Sequence, residues 1–101
     1  MKHEVRVEKP VLDYILALIT ATRQDPRLRL GSSPRGSLAM YRMAQSLAFA
    51  RGREYALPDD IQELAVPVLA HRLVLETKTK YSGTSKEDIV RELLAKTKVP
   101  V

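Results

Sequence analysis

The sequence predicts an all-α domain of four helices, and three observations carry that prediction. Apolar residues recur at helical spacing in four separate stretches, each opened by a helix-start signal and closed by a stop signal. No long run alternates apolar and polar residues as a half-buried strand would. At 101 residues the chain has room for one modest core and no second cofactor-binding domain.

The first helix is expected over 10–24. Val11, Leu12, Ile15, Leu16, Leu18 and Ile19 form a broad apolar face, with Asp13, Ala17, Thr20 and Gln24 opposite. Asp25-Pro26 stops it. Arg27-Leu28-Arg29-Leu30 then alternates, which suits a short extended piece before Gly31.

The second helix is expected over 34–51, with Gly52 just past its end. Ser33 stands at the N-cap, where its hydroxyl is expected to accept a backbone N–H, and Pro34 fits the first helical position. Met40, Tyr41, Ala44, Leu47 and Ala48 gather on one side; the two small residues allow a neighbouring helix to come close. Arg35, Arg42 and Ser46 form a polar stripe opposite.

The third helix starts at Pro58, with Asp59 and Asp60 complementing the positive end of its dipole. Ile61, Leu64, Ala65, Val68 and Leu69 supply its apolar face. Pro67 falls inside the pattern and predicts a kink or a short break. Leu73-Val74-Leu75 reads as extended. Thr84-Ser85-Lys86-Glu87 opens the fourth helix as a capping box, Thr84 at the N-cap and Glu87 at the third helical position. Ile89, Val90, Leu93 and Leu94 form its buried face.

The charge is uneven. The chain carries +5 overall, yet seven arginines (23, 27, 29, 35, 42, 51 and 53) stand between 23 and 53 against one acid, Asp25. That density suits an anionic partner: a nucleotide, a nucleic acid or an acidic protein face. Arg35 is the best placed of the seven, because it follows Pro34 in the first turn of a helix, where unpaired N–H groups already favour an anion.

Catalytic and metal-binding patterns are missing. With no cysteine and only His3 and His71, neither a disulfide nor a zinc cluster is expected. Ser32, Ser33 and Ser37 have no base beside them in the pattern, and no phosphate loop with its lysine occurs. The chain alone is therefore expected to break no bond. No apolar run reaches membrane-spanning length and no signal peptide is visible, so a cytoplasmic setting is expected.

Taken together, several blocks resemble the C-terminal lid domain of the MoxR family of AAA+ ATPases. They are Val5-Arg6-Val7, Tyr14, Thr22-Arg23, Gly31-Ser32-Ser33-Pro34-Arg35, Gly52-Arg53 with Tyr55, Pro58-Asp59-Asp60 and His71-Arg72, in that order across nearly the whole chain. The resemblance implies a four-helix AAA+ lid-type bundle spanning 1–101, as a piece of a longer ATPase whose P-loop domain lies outside this chain. It implies that Arg35 is the sensor 2 residue, reaching the γ-phosphate of ATP, with Ser33 and Pro34 positioning it. It implies ATP with magnesium in the full-length parent and none bound to the lid alone. The implied partners are the P-loop domain, neighbouring subunits of a hexamer, and clients such as von Willebrand factor A domain proteins. The implied task is chaperone-like remodelling or cofactor insertion. Leu38 is expected to border the adenine, and the arginine-rich loop to face a neighbouring subunit. Met1-Lys2-His3 is expected to be foreign to the family pattern, and Val99-Pro100-Val101 resembles the family's terminus.

Three residues depart from that pattern. Ser32 and Gly36 each stand where alanine is usual, a change expected to loosen the helix start by about 1 kcal/mol. Leu57 replaces the usual Ser or Thr cap of the third helix. A small basic nucleic-acid-binding domain is the rival reading, resting on the arginine density and a helix–turn–helix-like pair. A purely structural oligomerisation module is a third.

Overall fold

A computed structural model describes residues 5–100. The sequence expectations that fall on Met1-Lys2-His3 and on Val101 lie outside the described residues.

The elements are α1 (Lys9–Gln24), β1 (Leu28–Leu30), α2 (Pro34–Ala50), α3 (Pro58–Leu69) continuing into a 3₁₀ turn (Ala70–Arg72), β2 (Val74–Leu75), α4 (Thr77–Tyr81) and α5 (Lys86–Lys96). Helices α1, α2, α3 and α5 are the four expected from periodicity. Their apolar faces meet in one core that includes Ile15, Leu18, Met40, Ala44, Ile61, Leu69, Leu73 and Ile89. Ala44 and Ala48 are fully buried on α2, consistent with close approach of its neighbour. No helix among the described residues is long and apolar enough to cross a membrane.

Two features were outside the four-helix expectation. The single turn α4 has no apolar stripe of its own; it is held by Thr79, whose hydroxyl donates to the Arg27 carbonyl at 2.8 Å. The extended pieces 28–30 and 74–75 pair as a small antiparallel sheet, Leu28 opposite Leu75 and Leu30 opposite Val74, with an irregularity between. Alternation signalled each strand but could not say that they pair, because that contact joins residues more than forty positions apart.

The helix ends refine the sequence expectations. Helix α2 stops as expected: Gly52 adopts φ +74°, and the Arg53 and Gly52 amides donate to Ala48 (2.9 Å) and Phe49 (3.0 Å) carbonyls. Helix α3 runs through Pro67 to Leu69 and only then tightens into the 3₁₀ turn, so the proline makes no break. The box that opens α5 is shifted by one residue. Ser85, not Thr84, is the N-cap; it accepts from the Asp88 amide at 3.0 Å while the Asp88 carboxylate accepts from the Ser85 amide at 3.4 Å. Both frames satisfy the same four-residue pattern, and the local geometry selects the second. Thr84 follows Gly83, at φ +85°, and its hydroxyl is engaged by Ser82 at 3.2 Å.

At the start of α3, Leu57 has no capping side chain, as expected from its departure. The Asp60 carboxylate nonetheless accepts the Leu57 N–H at 2.8 Å, so half of a capping box survives. The N-terminal segment enters beside this turn. Arg6 donates its N–H to the Glu54 carbonyl and accepts from the Ala56 N–H, both at 2.9 Å, while Gln45 holds the Val5 carbonyl at 2.8 Å.

Candidate anion-facing site at the start of helix α2

The turn into α2 is built on the last turn of α1. The Thr22 hydroxyl donates to the Ile19 carbonyl at 2.6 Å and accepts the Ser32 N–H at 3.0 Å. Gly31 lies against the same turn so closely that a Cβ there would stand 2.6 Å from both the Thr22 oxygen and the Arg23 Cα. Only glycine fits, for reasons of space and not of φ. Thr22-Arg23 and Gly31-Ser32 are therefore one structural device: they anchor the segment that delivers Arg35.

Ser32 is almost completely buried, 1% exposed, and its hydroxyl donates to the Ser33 carbonyl at 3.2 Å. Gly36 is buried directly beneath it, and a Cβ at Gly36 would overlap the Ser32 hydroxyl oxygen. The two departures from the family pattern are thus complementary. The hydroxyl added at position 32 fills the space that a methyl at position 36 would take. The loosening expected from Gly36 alone omitted this packing.

Ser33 and Pro34 occupy the N-cap and first helical positions of α2, but the Ser33 hydroxyl accepts no capping bond. The third-position donor it was expected to serve, the Gly36 N–H, goes to the Ser33 carbonyl at 2.8 Å. With that donor met from the backbone, the hydroxyl is left exposed. Arg35 is exposed at the second position of α2, and its side chain makes no hydrogen bond or ion pair among the described residues. Its amide is one of the helix-start donors that no carbonyl accepts.

The seven clustered arginines divide into two groups. Arg27, Arg51 and Arg53 are engaged within the domain. Arg27 chelates Asp25 (2.7 Å to one oxygen and 3.0 Å to the other) and pairs with Glu92 of α5. Its hydrogen bonds hold the Asp25 carboxyl below its ordinary value despite partial burial. Arg27 also accepts, through its carbonyl, from Glu76 and Thr79 of the α4 region, while Arg29 and Leu30 of the same loop are exposed. Arg53 grips Asp60 with two bonds of 2.6 and 2.8 Å, and Arg51 reaches Asp60 at 3.5 Å and Glu63 at 2.8 Å. Asp60 is 0% exposed. Burial pushes its carboxyl up, but the Arg53 and Leu57 hydrogen bonds and the two guanidinium charges outweigh that, leaving it below 3.8.

Arg23, Arg29, Arg35 and Arg42 remain, exposed and without hydrogen bond or ion pair among the described residues. An open apolar groove of about 270 Å³ between α1 and α2 is lined by Leu12, Leu16, Ser37, Leu38 and Tyr41. Leu16 and Leu38 are 44% and 49% exposed there, so part of the apolar face expected of α1 looks outward instead of into the core. Periodicity placed Leu16 on the right face but could not tell where the core ends. His71 is exposed at the 3₁₀ turn with no hydrogen bond among the described residues. Among the described residues no cluster of His, Asp and Glu has metal-site geometry.

Comparison with known proteins places these features in a family. Residues 20–93 match the family model of the AAA lid domain. The chain is 44% identical over 97 residues to the uncharacterized protein YeaC of Bacillus subtilis, a match covering 96% of this chain and 30% of that protein. It is 34% identical to the chaperone MoxR1 of Mycobacterium tuberculosis, over 93% of this chain and 27% of the relative. The crystal structure of a "putative ATPase" from Cytophaga hutchinsonii superposes with a TM-score of 0.91 at 29% identity, covering 97% of this chain and 32% of that one. The chain thus spans about a third of the length of the proteins it matches.

Proposed function

This chain belongs to the AAA lid family, as the lid domain of a MoxR-type AAA+ ATPase, and from that premise we propose that it closes over ATP held by a P-loop domain and senses the terminal phosphate through Arg35. The observation that carries the proposal is the state of Arg35. It is an exposed guanidinium with no counter-ion among the described residues, on a turn locked by Thr22, Gly31 and Ser32. An arginine tied to an acid, like Arg53, could not swing to a phosphate without breaking a buried ion pair. Arg35 has no such bond to break.

The residues present fit a nucleotide in two ways. Arg35 supplies a permanent cation able to bond a phosphate through two N–H groups. The groove of Leu12, Leu16, Leu38 and Tyr41 supplies an apolar border suited to a base. Ser33 and Pro34 set where α2 begins and hence where Arg35 stands. ATP, with its magnesium ion carried by the P-loop domain, supplies the phosphoryl chemistry. Arg35 holds charge on the terminal phosphate, so loss of that phosphate removes a tie between lid and P-loop domain and frees the lid to rotate.

The same proposal extends to the whole protein: a ring of six subunits, by family resemblance, in the cytoplasm, remodelling clients or inserting cofactors. The description of the Mycobacterium tuberculosis relative as a chaperone supports that task, and von Willebrand factor A domain proteins are the client class to examine first. The nucleic-acid reading is not favoured. Helix α3, which would enter the groove, begins at Asp59 and Asp60, and Arg51 and Arg53 are spent on Asp60.

The test is ATP turnover by the full-length parent, wild type against Arg35→Ala, with circular dichroism of both. The expected result is a loss of about 10²-fold or more with the fold intact, the scale of removing one charge-stabilising donor. Equal turnover would refute the sensor role and leave the lid as a partner-binding surface.

A further inference from the structure

A second feature lies on the other side of the same turn. An open pocket of about 310 Å³ is lined by Arg23, Arg29, Leu30, Gly31, Ser32, Ser33 and Pro34. Arg35 is not among the lining residues, and neither is any carboxylate. The two arginines come from different elements, Arg23 from the end of α1 and Arg29 from the middle of β1. Each is exposed and without hydrogen bond or ion pair among the described residues, whereas Arg27, between them in sequence, is fully engaged with Asp25 and Glu92.

Their roots are fixed. Gly31 packs on the Arg23 backbone, Ser32 is bonded to Thr22, and the pairs Leu28–Leu75 and Leu30–Val74 hold the strand on either side of Arg29, which stands at the irregularity between them. Two permanent cations line one pocket that no carboxylate shares, so an anion entering it meets two charged donors whose backbones are already placed. Size favours a compact anion over a helix or strand of a partner protein, since the pocket is at the lower end of small-molecule sites. We propose that Arg23 and Arg29 form a phosphate-binding subsite distinct from Arg35, able to take a phosphate group whether free or part of a nucleotide's polyphosphate. The proposal goes beyond the sensor role and does not depend on Arg35.

The test is an NMR titration of this chain with sodium phosphate and, separately, sodium pyrophosphate, following backbone amides and arginine Nε–H signals. Saturable shifts are expected at Gly31, Ser32 and Ser33 and at the Arg23 and Arg29 side chains. Arg23→Gln and Arg29→Gln should each weaken binding about tenfold, the scale of one charge-assisted hydrogen bond, whereas Arg42→Gln, at an exposed arginine further along α2, should leave it unchanged. Tighter binding of pyrophosphate would identify a polyphosphate chain as the occupant; equal binding would identify free phosphate. Absence of saturable shifts would overturn the proposal, as would wild-type affinity in both Gln variants. Loss of binding in Arg35→Gln alone would overturn it too, while leaving the sensor reading intact. Conversely, failure of the Arg35→Ala turnover test would leave this titration unaffected.

Discussion

The pairing of Ser32 with Gly36 makes a quantitative prediction. Replacing Gly36 with alanine in the first turn of a helix ordinarily stabilises by up to about 1 kcal/mol, because alanine loses less backbone freedom on folding. Here the new methyl would overlap the Ser32 hydroxyl oxygen, stand 3.3 Å from the Ser32 Cβ and touch Ile19 Cδ1 at 3.5 Å. The hydroxyl must rotate away and lose its bond to the Ser33 carbonyl, or the turn must shift; such overpacking costs about 1–3 kcal/mol. Gly36→Ala alone should therefore be neutral or destabilising by up to about 2 kcal/mol. In a Ser32→Ala background the oxygen is gone, and the same change should recover the full gain of up to about 1 kcal/mol. The double-mutant cycle thus predicts a coupling of about 1–3 kcal/mol, well above the few tenths found for independent sites. Urea unfolding followed at 222 nm measures all four variants; for a chain of this size each kcal/mol also moves Tm by about 4–8 °C. Additive effects, or stabilisation by Gly36→Ala in the native background, would refute the packing argument.

Asp60→Asn should destabilise the domain by about 1–3 kcal/mol, because Arg53 loses its charged partner while Arg51 keeps Glu63; thermal melts at neutral pH measure this. The same carboxylate sets an acid limit. Asp60 and Asp25 both titrate below their ordinary 3.8 in the folded chain, so they contribute stability above that value and lose it as pH falls through their lower folded values. Stability measured by denaturant unfolding should therefore be flat from neutrality to about pH 5 and drop below about pH 4, with a shallower drop in Asp60→Asn. Gly31→Ala should cost at least about 1–3 kcal/mol, since the obstruction is the backbone of Thr22 and Arg23 and no side chain can give way; an unchanged midpoint in urea would contradict the close approach described.

Much of the candidate site was legible before any coordinates. The helix-start block 33–35 placed Arg35 in the first turn of α2, and its exposure agrees with the polar stripe on which it was placed. Which arginines are available was not legible, because Arg27, Arg51 and Arg53 look in sequence just like Arg23, Arg29 and Arg42. Only Asp25 stands near its arginine in sequence, two positions from Arg27; the partners Asp60, Glu63 and Glu92 come from other helices. The hydroxyl of Ser33 was misjudged for a related reason: whether a cap is needed depends on where the Gly36 N–H goes, and the chain turns tightly enough to meet it from the backbone.

The sequence by itself determined the four main helices, most residues of their buried faces and the stops of α1 and α2, because these depend on local periodicity and on residues such as Pro34, Gly52 and Pro58 whose backbone preferences act within a few positions. Tertiary structure alone decided the strand pairing, the complementarity of Ser32 with Gly36, and the division of the arginines into those engaged and those without a partner among the described residues. Each of those depends on atoms brought together by packing. Space and counter-charge are properties of what lies across a contact, and linear order does not specify that neighbour.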